Sequence, residues 1–148
     1  MGLDCYIVKG NRDEVFKDER LEDCNLVGGM FSGHGNGSFR GKCYESFVAS
    51  LVGEQDGFWH LDEDETIPSD ELERYANVLD EYIEQNLSEL PDDEEVEWQK
   101  FYAGHPDGGP IYHYTVKEIK DLALMFRVAA EHKCVMEAWW LCFTLLSM

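Results

Sequence analysis

The stretch from Ile67 to Pro91, IPSDELERYANVLDEYIEQNLSELP, constrains the fold more than any other part of the chain. Its apolar residues recur at intervals of three and four, which places them on one face of an α-helix. Pro91 ends the pattern because proline cannot continue a helix. The sequence therefore predicts a helix over residues 69–89 with one buried face. That face consists of Leu72, Tyr75, Ala76, Leu79, Tyr82, Ile83, Leu87 and Leu90.

Two further helices are predicted from end signals combined with the same spacing. Ser38 is expected to cap a helix near residues 39–52, because a serine hydroxyl can accept from the first free N–H groups. Thr115 and Glu118 have the spacing of a capping box, which predicts the beginning of a helix near residues 115–132. We therefore expect three helices in total.

Strands are predicted at both ends of the chain. LDCYIVK, residues 3–9, alternates in the manner of a strand, and CVMEAWWLCF, residues 134–143, is typical of a buried one. Residues 92–104 are ambiguous, since they alternate like a strand but their acids suit a helix start. Residues 105–110, HPDGGP, form a turn cluster. We predict a single α+β domain over residues 1–148, with a small sheet that includes the N- and C-terminal strands packed by about three helices.

The composition indicates a folded protein of a reducing compartment. The 148 residues are 44% hydrophobic, enough to bury a core. The five cysteines form no CxxC pair and cannot all pair internally, which favours free thiols and a cytoplasmic location. No secretory signal is visible at the N-terminus. Residues 138–148 are apolar but shorter than the roughly 20 residues of a membrane helix, so they are expected to complete the core or form a homo-oligomer contact.

Charge is concentrated in the middle of the chain. The net charge is −19, and residues 54–97 hold eighteen acidic residues against Arg74 alone. Such a field repels nucleic-acid and membrane phosphates and attracts cations or basic proteins. We therefore expect no direct nucleic-acid binding and no membrane association, with a basic protein surface as the partner.

The leading hypothesis is a non-enzymatic interaction or accessory protein that docks this partner through residues 54–97. Complementary charge would speed association and make it sensitive to salt. The alternative is an acidic surface that is merely solvated and keeps the protein in solution. The expected contact residues are Asp62, Glu63, Asp64, Glu65, Asp80, Glu84, Asp92, Asp93, Glu94 and Glu95.

A glycine-rich segment over residues 28–41, GGMFSGHGNGSFRG, offers a second hypothesis. It fits neither the phosphate-binding loop of nucleotide hydrolases nor the dinucleotide fingerprint, because the glycines are in the wrong register. Glycines before a helix N-terminus, with two bases in its first turn, could still hold a small anion. The alternative is a structural loop whose glycines adopt positive φ angles. The candidate ligand-binding residues are Gly35, Gly37, Ser38, Arg40 and Lys42.

Cys43 follows the same segment and offers a third hypothesis. Flanked by Arg40 and Lys42, its thiol would have a lowered pKa and could act as a nucleophile. His105 or His113 would then serve as the base of a cysteine-dependent enzyme. The alternative is that Cys43 packs as a small hydrophobic residue.

A degenerate calcium loop is the only cofactor hypothesis. Asp62, Asp64, Thr66, Asp70 and Glu73 occupy ligand positions 1, 3, 5, 9 and 12 of such a loop. Position 6 requires glycine for a sharp turn, but it holds an isoleucine. Loose divalent-cation binding by clustered carboxylates is therefore favoured over a specific site, and otherwise no cofactor is expected.

The opening residues carry a family resemblance. Met1, Gly2, Leu3, Asp4 and Tyr6, together with a late helix followed by an aromatic-rich strand, resemble small uncharacterised phage and bacterial proteins that begin MGLD-x-Y. That group has methionine where this chain has Cys5. The resemblance implies no activity, cofactor or catalytic residue, and indicates only a phage-like or bacterial protein.

Overall fold

The computed structural model describes residues 3–10, 15–24, 26–28, 37–53, 66–99 and 108–140 of the chain. These residues form three helices and two antiparallel sheets, so the predicted α+β class is confirmed. A short 3-10 helix covers Glu19–Leu21. The helices are α1 (Gly41–Val52), α2 (Ser69–Asn86) and α3 (Val116–Glu131). The strands are β1 (Leu3–Val8), β2 (Ser38–Arg40), β3 (Thr66–Ile67), β4 (Glu95–Gln99), β5 (Ile111–Thr115) and β6 (Val135–Trp140).

The larger sheet joins the two ends of the chain, as predicted. Its strand order is β2-β1-β6-β3, and β1 pairs antiparallel with β6 along its whole length, from Leu3 opposite Trp140 to Val8 opposite Val135. The two outer strands have three and two residues. Strands of that length are too short to produce a recognisable alternation, which is why sequence patterns did not reveal them.

The helices cover one face of this sheet. Tyr75 of α2 and Phe126 of α3 meet edge to face, with ring centroids 5.7 Å apart, and Phe126 also contacts Phe39 of β2. Side chains of β1 and β6, including Ile7 and Met136, are fully buried in the same cluster. Burial of this continuous apolar layer is the main stabilising contribution to the fold.

The smaller sheet is a hairpin of β4 and β5. Trp98 and Tyr114 point inwards and contact Phe47 of α1, with ring centroids 6.0 and 5.2 Å away. The Tyr114 hydroxyl also donates to the carbonyl of Cys43 at 2.7 Å. The strand interpretation of residues 92–104 is therefore the correct one over Glu95–Gln99, because alternate side chains find an aromatic surface to cover.

Two predicted helix ends need correction. Ser38 does not cap α1: it lies in β2 opposite Tyr6, and α1 begins at Gly41 with no side-chain hydrogen bond at its N-cap, Arg40. Strand pairing takes Ser38 away from the helix end. Helix α2 ends at Asn86, three residues before the predicted end at residue 89, because Leu87 leaves the helical conformation and is buried.

The capping box of α3 is confirmed. The Thr115 hydroxyl accepts from the Glu118 N–H at 3.0 Å, and the Glu118 carboxylate accepts from the Thr115 N–H at 3.2 Å. These two bonds satisfy backbone donors that a helix start otherwise leaves free. The helix therefore begins where its local sequence predicts.

Candidate acidic interaction surface

One face of α2 carries a row of exposed carboxylates. Residues of α2 follow one another at about 100° around the helix axis. The acids of this row and Asn77 fall within about 100° of the circumference, opposite the buried face. The row, called here the α2 acidic stripe, consists of Asp70, Glu73, Asp80, Glu81 and Glu84, all of them exposed.

The acidic surface continues beyond the helix. After a turn over residues 87–91, the chain enters the segment Asp92–Glu95, called here the acidic turn, in which all four side chains are exposed. Glu97 on β4 is also exposed, with 64% of its side chain accessible. Stripe and turn are therefore successive parts of one acidic stretch of chain.

Helix α3 neutralises two of the predicted contact residues. Arg127 donates to Asp80 at 2.7 Å, and Lys120 donates to Asp92 at 2.9 Å. The hydrogen bond from Lys120 lowers the pKa of the Asp92 carboxyl below its usual value. Both carboxylates stay more than half exposed, so they remain on the surface.

The other predicted carboxylates of this region are not neutralised in that way. Within the ranges that the structure describes, no ion pair involves Glu84, Asp93, Glu94 or Glu95. Arg74 is the single lysine or arginine of residues 54–97, and it lies 2.8 Å from Glu71. The net negative charge is therefore left on the outer side of α2 and on the acidic turn.

The predicted calcium loop falls only partly within the described chain. Asp62 and Asp64 lie outside it, as do Glu63 and Glu65. Asp70 and Glu73 are exposed on α2, whereas Thr66 is a buried residue of β3 opposite Glu137. Among the described residues, no group of three or more His, Cys, Asp or Glu side chains is placed to hold a metal ion.

Within the described part of the glycine-rich segment, the fold requires glycine at position 37. Gly37 has a φ of 84°, and a Cβ atom there would lie 2.1 Å from the carbonyl oxygen of Phe16. Gly35 lies outside the described residues, and Arg40 is exposed at the end of β2. The Ser38 hydroxyl is buried and has no hydrogen-bond partner in the described structure. The side chain of Lys42 lies outside the described part of the structure.

The structure does not place a histidine beside Cys43 within the described chain. Burial raises the pKa of the half-buried Cys43 thiol, with only partial opposition from Arg40, which is the reverse of the expected direction. His113 is exposed near Glu97 on the outer side of the hairpin, whereas its neighbour Tyr114 points inwards to α1. His105 lies outside the described residues. The cysteine-enzyme hypothesis stays a prediction.

A polar row, buried at three of its four residues, was missed by the sequence reasoning. The sheet register places Ser38, Tyr6, Glu137 and Thr66 side by side across all four strands of the larger sheet. Glu137 and Thr66 are only 7% and 6% exposed. A carboxylate is rarely buried to this extent. No local pattern could have revealed the row, because it depends on how four distant segments pair.

Fold and surface together define a small acidic α+β protein. Comparison of the chain with protein-family models, with curated proteins and with solved structures finds no match in any of the three. None of the helices in the described ranges is long and apolar enough to cross a membrane. Residues 141–148, part of the predicted oligomer contact, lie outside those ranges.

Proposed function

We propose that this chain is a non-enzymatic interaction protein that docks a basic protein partner through residues 54–97. The observation that supports the proposal is the one-sided α2 acidic stripe, which continues into the acidic turn with little internal neutralisation. Exposed charge of one sign steers an oppositely charged partner towards the surface. Such attraction is screened over about 10 Å at 0.1 M salt.

The position of the charges within α2 adds a second argument. Carboxylates near a helix C-terminus interact unfavourably with the helix dipole, and Glu81 and Glu84 are close to that end, where the last turn has no basic residue. Glu81 and Glu84 are also like charges three residues apart, on neighbouring positions of the helix surface, an arrangement that destabilises a helix. This arrangement of charges lowers the stability of the unbound protein. A role in binding would explain why the charges are placed there.

The test measures binding to an immobilised lysine-rich peptide as a function of salt. Replacing Asp93, Glu94 and Glu95 by their amides removes three charges and leaves the Asp92–Lys120 ion pair in place. We expect the affinity to fall by about tenfold at low salt, as three exposed charge contacts imply. Binding by the unmodified protein should weaken steeply as salt increases.

A charge-matched control lies outside the acidic segment. Glu19, Glu22 and Asp23 are exposed near the short 3-10 helix, and replacing them by amides changes the net charge by the same amount. This variant should retain nearly full affinity. Equal losses in the two triple variants would show that the peptide senses only the net charge, and the docking surface would be wrong.

A further inference from the structure

We propose that the partner docks as an extended strand along the outer edge of β4, with its basic side chains beside Glu95 and Glu97. This proposal rests on the proposed function and specifies how the partner binds. The partner segment would have alternating basic and apolar residues. Three features of the hairpin support it: the direction of its backbone groups, the charge of its outer face and the apolar character of its inner face.

The backbone groups of β4 alternate between the two sides of the strand. The Val116 N–H donates to the Glu94 carbonyl at 2.9 Å, which fixes the phase of the ladder between β4 and β5. Because hydrogen-bonded pairs alternate in an antiparallel ladder, Val96 and Trp98 bond to β5. The N–H and C=O groups of the intervening residues Glu95 and Glu97 then point to the opposite edge.

That edge is available within the described structure. The hairpin is a two-stranded sheet, and none of the described strands pairs with the outer side of β4. No residue of β4 is fully buried. An edge strand with free backbone groups is a template for an added strand from a partner.

The two faces of β4 differ in chemistry. Glu95 and Glu97 are exposed on the outer face, whereas Val96 and Trp98 are half-buried on the inner face. In an added strand, alternate side chains would lie beside the carboxylates and the remaining ones beside Val96 and Trp98. Opposite charges on neighbouring strands stabilise such pairing. A lysine or arginine at every second position therefore complements this edge.

The same carboxylates have a competing interpretation. Charged residues on an edge strand also prevent unwanted pairing between proteins. If Glu95 and Glu97 serve only to prevent unwanted strand pairing, no peptide should protect the β4 amides from exchange. Amide exchange therefore distinguishes the two interpretations directly.

The experiment uses the full chain and a synthetic peptide, acetyl-KVKVKVK-amide. A second peptide is methylated at every backbone nitrogen, which keeps the side chains and charge but removes the hydrogen-bond donors. We expect the first peptide to bind at least tenfold more tightly. It should also slow amide hydrogen exchange at Glu95 and Glu97 by at least tenfold, measured by NMR.

Variants test the location with a matched charge change. Glu97→Lys places a like charge beside the peptide and should reduce its affinity at least tenfold. Glu22→Lys makes the same charge change on an exposed residue outside the acidic segment and should have little effect. Equal effects of these two variants would overturn the assignment to β4.

Failure of this inference can be separated from failure of the proposed function. If both peptides bind equally and the β4 amides gain no protection, strand addition is wrong while charge-driven docking stands. If neither peptide binds at low salt, both proposals are overturned.

Discussion

The Tyr44 hydroxyl donates a hydrogen bond to Glu118 at 2.5 Å and thereby joins α1 to the beginning of α3. The same hydroxyl accepts from the Val27 N–H at 2.8 Å. The second oxygen of Glu118 accepts from the Thr115 N–H as part of the capping box. A single carboxylate therefore completes a local helix cap and a contact between elements distant in sequence.

Removing the Tyr44 hydroxyl should destabilise the fold. Tyr44→Phe leaves the Val27 N–H and one oxygen of Glu118 without their present partner, and we expect a loss of about 1–3 kcal/mol. Urea unfolding of Tyr44→Phe, Glu118→Gln and the double variant measures the coupling. Additive effects of the two single changes would show that this bond contributes nothing to stability.

Gly37, just before β2, and Gly53, just after α1, should respond differently to alanine. At Gly37 a new Cβ would contact the Phe16 carbonyl oxygen at 2.1 Å, so Gly37→Ala should lose at least about 3 kcal/mol. Gly53 has a similar φ of 82° but nothing within 4 Å of that Cβ position. Gly53→Ala should lose only about 1 kcal/mol, from backbone strain. Equal losses in urea unfolding would contradict the close approach at Gly37.

Replacing Ser38 by alanine should leave stability unchanged or raise it by up to about 1 kcal/mol, because its buried hydroxyl has no partner among the described residues. Ser50→Ala is the control, since the Ser50 hydroxyl donates to the Phe47 carbonyl at 2.7 Å on an exposed part of α1. Both variants can be compared by thermal unfolding. A clear loss of stability in Ser38→Ala alone would mean that the hydroxyl makes a favourable contact.

Alkaline pH should destabilise the protein through its buried thiols. Burial raises the pKa of Cys24 and of Cys134 from 9.0 to about 11. The folded state therefore keeps protons that the unfolded state releases. The contribution of these thiols to the free energy of unfolding is complete below pH 9 and falls as pH rises towards 11. Urea unfolding under reducing conditions should show this slope, and Cys134→Ala should reduce it. A stability that stays constant between pH 8 and 11 would refute this prediction.

The α2 acidic stripe should show a conflict between stability and binding. Glu84→Lys places a cation near the helix C-terminus, and we expect it to stabilise the free protein by about 0.5 kcal/mol. Asp70→Lys, at the other end of α2, should destabilise the protein because an acid favours a helix N-terminus. Both variants should weaken binding to the lysine-rich peptide. Opposite changes in melting temperature with parallel losses in affinity are the expected result.

Local sequence patterns predicted the elements whose signals depend on residues only a few positions apart in the chain. The apolar spacing of α2 and the capping box of α3 depend on residues three and four apart, and the alternation of β1 depends on residues two apart. The prediction that Ser38 caps a helix was wrong because a distant contact decided its position. Pairing with Tyr6 overrides the preference of serine for a helix start. The outer strands β2 and β3 exist only because β1 and β6 supply hydrogen-bonding partners.

The amino-acid sequence by itself determined that α2 has an acidic face, because a helix that buries its apolar residues must expose the residues between them. Only the tertiary structure decided which of those charges are neutralised, since Arg127 and Lys120 reach Asp80 and Asp92 from another helix. It also placed His113 on the opposite side of the hairpin from Tyr114 and assembled the polar row around Glu137. These relationships depend on the packing and register of distant segments, which no spacing along the chain encodes.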